Sequence, residues 1–118
     1  VGGKSPNILF AEADLEQAIA GAAAAAFLNA GQVCYAGTRL YVQDSVYETV
    51  IAGLSEAMSN YVIGDPFDPE TQLGPVVSAK QRERVDSYVD EGVRAGAENV
   101  GSGREGIEDA KGRAALRL

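Results

Sequence analysis

The 118-residue sequence has no histidine, one cysteine and no apolar run approaching the length of a membrane span. Each absence closes a class of function. Without histidine, neither a Ser–His nor a Cys–His nucleophile pair can form within the chain. One thiol and no imidazole leave no donor set for a zinc-type centre, so no metal site is expected. One cysteine also excludes an internal disulfide, and no leader-like pattern opens the chain, so the expected setting is the cytoplasm. A membrane helix needs about 20 consecutive apolar residues, so no span is expected. Bases are scarce as well: Lys and Arg total 10 against 17 Asp and Glu, a net charge of −7. The first 60 residues carry six acids and two bases, the remainder eleven acids and eight bases. Neither half offers a basic face for phosphate, which argues against nucleic acid and anionic membrane surfaces as partners.

What is present suffices for a folded domain. Hydrophobic residues make up 46% of the chain, and its length suits one compact domain rather than two. Val1 in place of methionine hints at truncation. Ile8-Leu9-Phe10, after Ser5-Pro6-Asn7, reads as a buried strand. Asp14 with Gln17 forms a capping box opening a helix over about 15–29, with Leu15, Ile19, Ala22, Ala26 and Phe27 on one face. The alanine run Ala22 to Ala26 gives that helix strong propensity and a slim profile suited to close packing on a sheet. Gly31 is its natural stop, and residues 38–42 read as a second strand.

Ser45 with Glu48 predicts a further helix over about 46–62, whose apolar positions Val50, Ile51, Leu54 and Met58 step by three and four. Residues 64–75 read as a loop from their Gly, Asp and Pro content. Ser78 with Gln81 opens a third helix running to about 95, and Gly96 to Val100 reads as a turn into a short strand. Beyond Gly101 no element is predicted. The order of elements indicates an α/β fold, with a parallel sheet and flanking helices.

Three features invite chemical readings. Cys34 sits among Ala30, Gly31, Ala36 and Gly37, where a ligand can approach the sulfur closely. A free thiol is mostly protonated at neutral pH, and no lysine or histidine lies nearby in sequence to activate it. On residues alone, Cys34 is either a small buried hydrophobe or a nucleophile, with the first favoured. Gly101-Ser102-Gly103-Arg104-Glu105-Gly106 matches a dinucleotide fingerprint literally, but the twelve residues after it cannot hold the helix, strand and acid that such a motif requires. It is read as a surface loop. Asp65, Asp68 and Glu70 lack the calcium-loop spacing and are read as a solvated loop.

Taken together, Gly2-Gly3-Lys4-Ser5-Pro6-Asn7, Gly31-Gln32-Val33-Cys34, Arg39-Leu40-Tyr41-Val42, Gly64-Asp65-Pro66 and Leu73-Gly74-Pro75 resemble the NAD(P)-dependent aldehyde dehydrogenase superfamily. The resemblance covers roughly residues 1–101, and the order and spacing of its motifs make it specific. It reverses the reading of Cys34. It implies that the chain is part of an aldehyde dehydrogenase catalytic domain, with residues 102–118 as a divergent or poorly ordered tail. It implies that Cys34 is the nucleophile, forming a thiohemiacetal with an aldehyde and then a thioester as hydride passes to NAD or NADP. The Cys34 N–H is implied as one oxyanion donor, and Val1 and Gly2 as positions lining the nicotinamide pocket.

The implied partners are an aldehyde, the remainder of the enzyme chain, and further copies in a homo-oligomer. Departures follow from the same motif, which reads Glu-Leu-Gly-Gly-Lys in the family. Val1 stands at the leucine position, and the glutamate that serves as general base falls ahead of it. The asparagine of the oxyanion hole and most of the nucleotide-binding domain also lie upstream, so the isolated chain is expected to be inactive. Tyr35, beside the nucleophile, is open between lining an aldehyde pocket and packing. Two other readings remain at this stage: a non-catalytic relic or interaction fragment, and a small thiol redox or binding module.

Overall fold

The computed structural model describes residues 3–98, together with the backbone of 107–108 and 114–115. It divides into two compact units, Val1–Val62 and Ile63–Leu118. The expected boundary at 101 lies outside the described residues.

The first unit is a strand–helix–strand–helix arrangement: β1 (Pro6–Leu9), α1 (Leu15–Phe27), β2 (Arg39–Val42) and α2 (Tyr47–Ser59). The strands pair in parallel, with Pro6 opposite Arg39, Ile8 opposite Tyr41 and Leu9 opposite Val42. Pro6 opens its strand, a position where a missing N–H is tolerated. Alternation along β1 buries Leu9 while leaving Ile8 exposed, and β2 likewise exposes Arg39 and Tyr41 while half-burying Leu40 and Val42. One face of this two-stranded sheet is therefore more covered than the other.

Helix α1 begins as expected, with the Asp14 carboxylate accepting from the Gln17 N–H (3.2 Å) and from the Gln17 side-chain amide (2.8 Å). Its alanine-rich face buries Ala22 and Ala23. The slim profile also appears where α1 meets α2: a Cβ placed on Gly53 would sit 2.7 Å from Ile19 Cδ1. Val50 of α2 is fully buried, and Phe27 meets Tyr61 edge to face with ring centroids 6.0 Å apart. These contacts hold the two helices beside one another by apolar burial rather than by charge.

Several boundaries differ from the sequence reading: β1 covers Pro6–Leu9 rather than residues 8–10, and α2 ends at Ser59 rather than about 62. Helix α1 stops at Phe27, two residues early, because Leu28 leaves the helix (ψ 127) and Asn29 and Ala30 turn left-handed. Helix α2 starts at Tyr47, after a 3-10 turn over Asp44–Val46. Ser45 lies inside that turn, so the expected capping box does not form, and Val46 caps the helix with no side-chain bond.

In the second unit, Gly64 N–H donates to the Leu73 carbonyl (3.1 Å), closing the loop between them. Helix α3 (Ala79–Arg94) is capped as expected, the Ser78 hydroxyl accepting from the Gln81 N–H at 3.2 Å. It ends in a Schellman turn: Ala97 N–H reaches the Gly92 carbonyl and Gly96 N–H the Val93 carbonyl, with Gly96 at φ +92. Two short strands, β3 (Ile107–Glu108) and β4 (Ala114–Ala115), pair antiparallel in a stretch where no element was predicted. Asn99 and Val100, the end of the strand expected after Gly96, lie outside the described residues, as does the Gly101–Gly106 stretch. Among the described residues no helix is long and apolar enough to cross a membrane.

Candidate active site

The local chain path presents Cys34. After α1, three consecutive residues take positive φ: Asn29 (53), Ala30 (54) and Gly31 (72). Glycine takes this conformation freely and asparagine tolerates it, whereas for alanine it costs about 1–2 kcal/mol. Side-chain and backbone bonds brace the segment. Gln32 N–H and its side-chain amide both reach the Asn29 carbonyl, at 3.1 and 3.2 Å, and the Asn29 side-chain amide returns to the Gln32 carbonyl at 3.4 Å.

The chain then makes a turn over Val33–Ala36, closed by Ala36 N–H on the Val33 carbonyl at 3.1 Å. Cys34 and Tyr35 are its two central residues. Gly37 N–H anchors the far side to the Ala25 carbonyl at 3.0 Å, and Ala36 is buried. A Cβ on Gly37 would lie 3.4 Å from that of Ala25, so the returning chain passes close to α1.

Cys34 is exposed at the tip of this turn. The reading of it as a small buried hydrophobe is thereby corrected: the turn that holds its backbone points the residue away from the core. Tyr35 is 69% exposed, so packing does not account for it within the described residues. It lines an open groove of about 810 Å³ along β1 and α1, which also takes in Gly37, Glu12 and the small residues Ala18, Gly21 and Ala25.

The two glycine-rich stretches meet at the cysteine. The Gly3 N–H donates to the Cys34 carbonyl oxygen at 2.9 Å, a bond between residues far apart in sequence. Gly3 has φ +85, and apart from its chain neighbours no described atom lies within 4 Å of the place a Cβ would occupy. Space beside this main chain is therefore open. The Cys34 N–H, in contrast, takes no backbone acceptor among the described residues. Of the expected cofactor positions, Val1 and Gly2 lie outside the described residues, directly before Gly3. In the sequence Gly3 stands only as a member of the Gly2-Gly3-Lys4-Ser5-Pro6-Asn7 motif, with no sign of its bond to Cys34. For Asn29 the usable signal is its residue type, since asparagine is enriched at positive φ.

Other candidates resolve into structure. The Asp65 and Asp68 carboxylates accept from the N–H groups of Phe67 and Glu70, each at 3.0 Å, and so shape their own loop. On α3, Arg82 lies 3.9 Å from Asp86, and Arg84 stacks 5.8 Å over the Tyr88 ring, an ordinary solvated face. Among the described residues no group of three or more His, Cys, Asp or Glu is placed to hold a metal.

Comparison with known proteins adds an independent line. The family model described as "Aldehyde dehydrogenase family" matches residues 1–115. The chain is 52% identical over 103 residues to betaine aldehyde dehydrogenase 1 of Rhizobium meliloti, covering 87% of this chain and 21% of that protein. It is 42% identical over 111 residues to retinal dehydrogenase 2 of Gallus gallus, covering 91% of this chain and 21% of that protein. Among solved structures, betaine aldehyde dehydrogenase from Staphylococcus aureus in complex with NAD+ superposes with a TM-score of 0.90 at 36% identity, covering 99% of this chain and 24% of that one. The chain thus spans about a fifth of the length of the curated relatives it matches.

Proposed function

The chain belongs to the aldehyde dehydrogenase family, a family of oxidoreductases, and from that premise we propose that it is the nucleophile-bearing part of an enzyme oxidising an aldehyde to a carboxylic acid with NAD(P)+. The observation that carries the proposal is the meeting of the two motif stretches at Cys34: an exposed thiol, a carbonyl held by Gly3, and an N–H without a backbone acceptor among the described residues.

In this reading the Cys34 sulfur adds to the aldehyde carbonyl carbon and the carbonyl electron pair moves to oxygen. The Cys34 N–H stands one bond from the nucleophile's α-carbon and donates to that oxygen. A single preorganised donor of this kind contributes about 3 kcal/mol to a transition state. Apart from its chain neighbours, no described atom lies within 4 Å of a Cβ position on Gly3, and in this reading Val1 and Gly2, just ahead of it, would border the nicotinamide end of the cofactor. The bound dinucleotide supplies the hydride acceptor. In this reading the diphosphate is held mainly by parts of the enzyme outside this chain, which spans about a fifth of its curated relatives, and the choice of NAD or NADP is made there too. The acyl group left on sulfur is a thioester, and its hydrolysis draws on a base that the chain's neighbours supply. Homo-oligomeric assembly of the intact enzyme and a cytoplasmic setting belong to the same proposal.

A chimera tests it. Residues 1–98 of this chain replace the matching segment of the Rhizobium meliloti relative, and betaine aldehyde is offered with NAD+. The expected result is aldehyde-dependent NADH formation, abolished by Cys34→Ser, while the isolated 118 residues form none. A folded chimera that is inactive, or one that retains turnover with Cys34→Ser, overturns the proposal.

A further inference from the structure

Among the described residues, one hydrogen bond joins the amino-terminal glycine stretch to the nucleophile turn: it runs from the Gly3 N–H to the Cys34 carbonyl, at 2.9 Å. Its geometric consequence is local and definite. The carbonyl belongs to the peptide between Cys34 and Tyr35, so holding it fixes the plane of that peptide and hence ψ at Cys34. The turn closed by Ala36 on Val33 fixes the peptide on the other side. Among the described residues the Cys34 N–H then has no backbone acceptor, beside an exposed thiol.

Gly3 makes its bond from φ +85, a conformation that L side chains rarely adopt. Packing is not what demands glycine here, because a Cβ at this position would meet nothing within 4 Å. Within this chain the requirement is conformational.

We propose that Gly3 is a positioning residue for Cys34: its left-handed backbone aims the N–H that locks the Cys34 carbonyl, and so presents the Cys34 N–H to the oxygen of a bound aldehyde. This deepens the nucleophile reading above and rests on it. Because the cause is a backbone angle and not space, the chirality of the substituent decides the outcome. L-alanine disfavours φ +85, whereas D-alanine favours it.

The experiment uses the full chain, assembled by joining a synthetic 1–33 thioester to 34–118 at Cys34, the native ligation junction. The probe is acetaldehyde labelled with 13C at the carbonyl. Its addition to the Cys34 thiol is reversible and needs no cofactor: the S–C bond forms, and the thiol proton ends on the former carbonyl oxygen. NMR reads the adduct population, the shift of the 15N-labelled Cys34 amide on adduct formation, and exchange protection of the Gly3 amide.

In the unmodified chain the adduct should form, the Cys34 amide should move downfield, and the Gly3 amide should be protected. Gly3→Ala should lose the protection and the amide shift and weaken the adduct roughly five-fold or more, and D-alanine at position 3 should restore all three. An adduct and amide shift indifferent to Gly3→Ala overturn the positioning role while leaving the nucleophile reading standing. Loss with L-alanine that D-alanine does not restore also overturns it, since that pattern marks a general disturbance. Absence of any Cys34 adduct in the unmodified chain overturns the nucleophile reading and the positioning role together.

Discussion

At the scale of single residues, the backbone around Cys34 is shaped at a cost. Ala30 holds φ 54 and ψ 37, a left-handed pair that an L-residue with a Cβ adopts at about 1–2 kcal/mol. Replacing it with glycine relieves that strain but adds freedom to the unfolded chain, worth roughly 0.4–1 kcal/mol in the other direction. The balance favours Ala30→Gly by about 0.5–1 kcal/mol, so its thermal midpoint should rise by a few degrees. Gly31→Ala, at φ 72, should lower the midpoint instead. A calorimetric scan of the two variants beside the unmodified chain reads both signs at once. A midpoint that falls for Ala30→Gly would show that the alanine is not held left-handed in solution. Strain stored next to a nucleophile makes sense where the surroundings over-determine the path, as the Asn29–Gln32 bonds and the Ala25–Gly37 anchor do here. Nothing local in the sequence announces a left-handed alanine. The path is set by partners that the fold brings in from elsewhere, and Gly3 is the most distant of them.

At the scale of elements, three capping boxes can be read in the sequence, and at two of them the N-cap bond forms. Ser78 accepts from the Gln81 N–H and Asp14 from that of Gln17, each at 3.2 Å. At the third, Val46 N–H bonds back to the Gln43 carbonyl and Tyr47 N–H to that of Asp44. Backbone acceptors in the 3-10 turn thus serve donors at the helix start, Tyr47 N–H among them, and Ser45 lies within the turn rather than at a cap. The strand β2 ends only at Val42 and leaves no room for an extended cap residue at 45. The contrast is measurable. Ser78→Ala should cost about 1 kcal/mol of stability, and Ser45→Ala should stay within about 0.5 kcal/mol of the unmodified chain. Equal losses in urea unfolding of the two variants would contradict this assignment of caps. Helix existence and the β–α–β order were legible because periodicity and caps are local signals. The end of α1 is not legible in this way, since residues 28–37 are fixed by the Asn29–Gln32 bonds together with those of Gly37 to Ala25 and Gly3 to Cys34, none of which the helix's periodicity announces.

For the whole molecule, the limiting quantity is the buried apolar set. Among the described residues it consists of Leu9, Ala22, Ala23, Ala36, Val50 and Leu73, three of them alanines with little surface to bury. Meanwhile Ile8 and Tyr41 sit opposite one another on the sheet at 60% and 56% exposure. Parallel sheets are normally covered on both faces, and a two-stranded one is marginal by itself. An apolar cross-strand pair left open in this way gives a second copy of the chain something to bury. The isolated 118 residues should therefore self-associate with rising concentration, and Ile8→Thr with Tyr41→Thr should return them to monomer. Threonine keeps β-propensity and both positions are exposed, so the double variant should retain the stability of the unmodified monomer to within about 1 kcal/mol. Sedimentation velocity across a hundredfold concentration range reads the association, and urea unfolding reads the stability. If the unmodified chain stays monomeric throughout, the open sheet face is solvated without penalty. If the double variant associates as strongly, the adhesive surface lies elsewhere. If both expectations hold, the apolar pair on the sheet is what leaves this segment short of self-sufficiency, and the nucleophile turn is the part that the segment builds for itself.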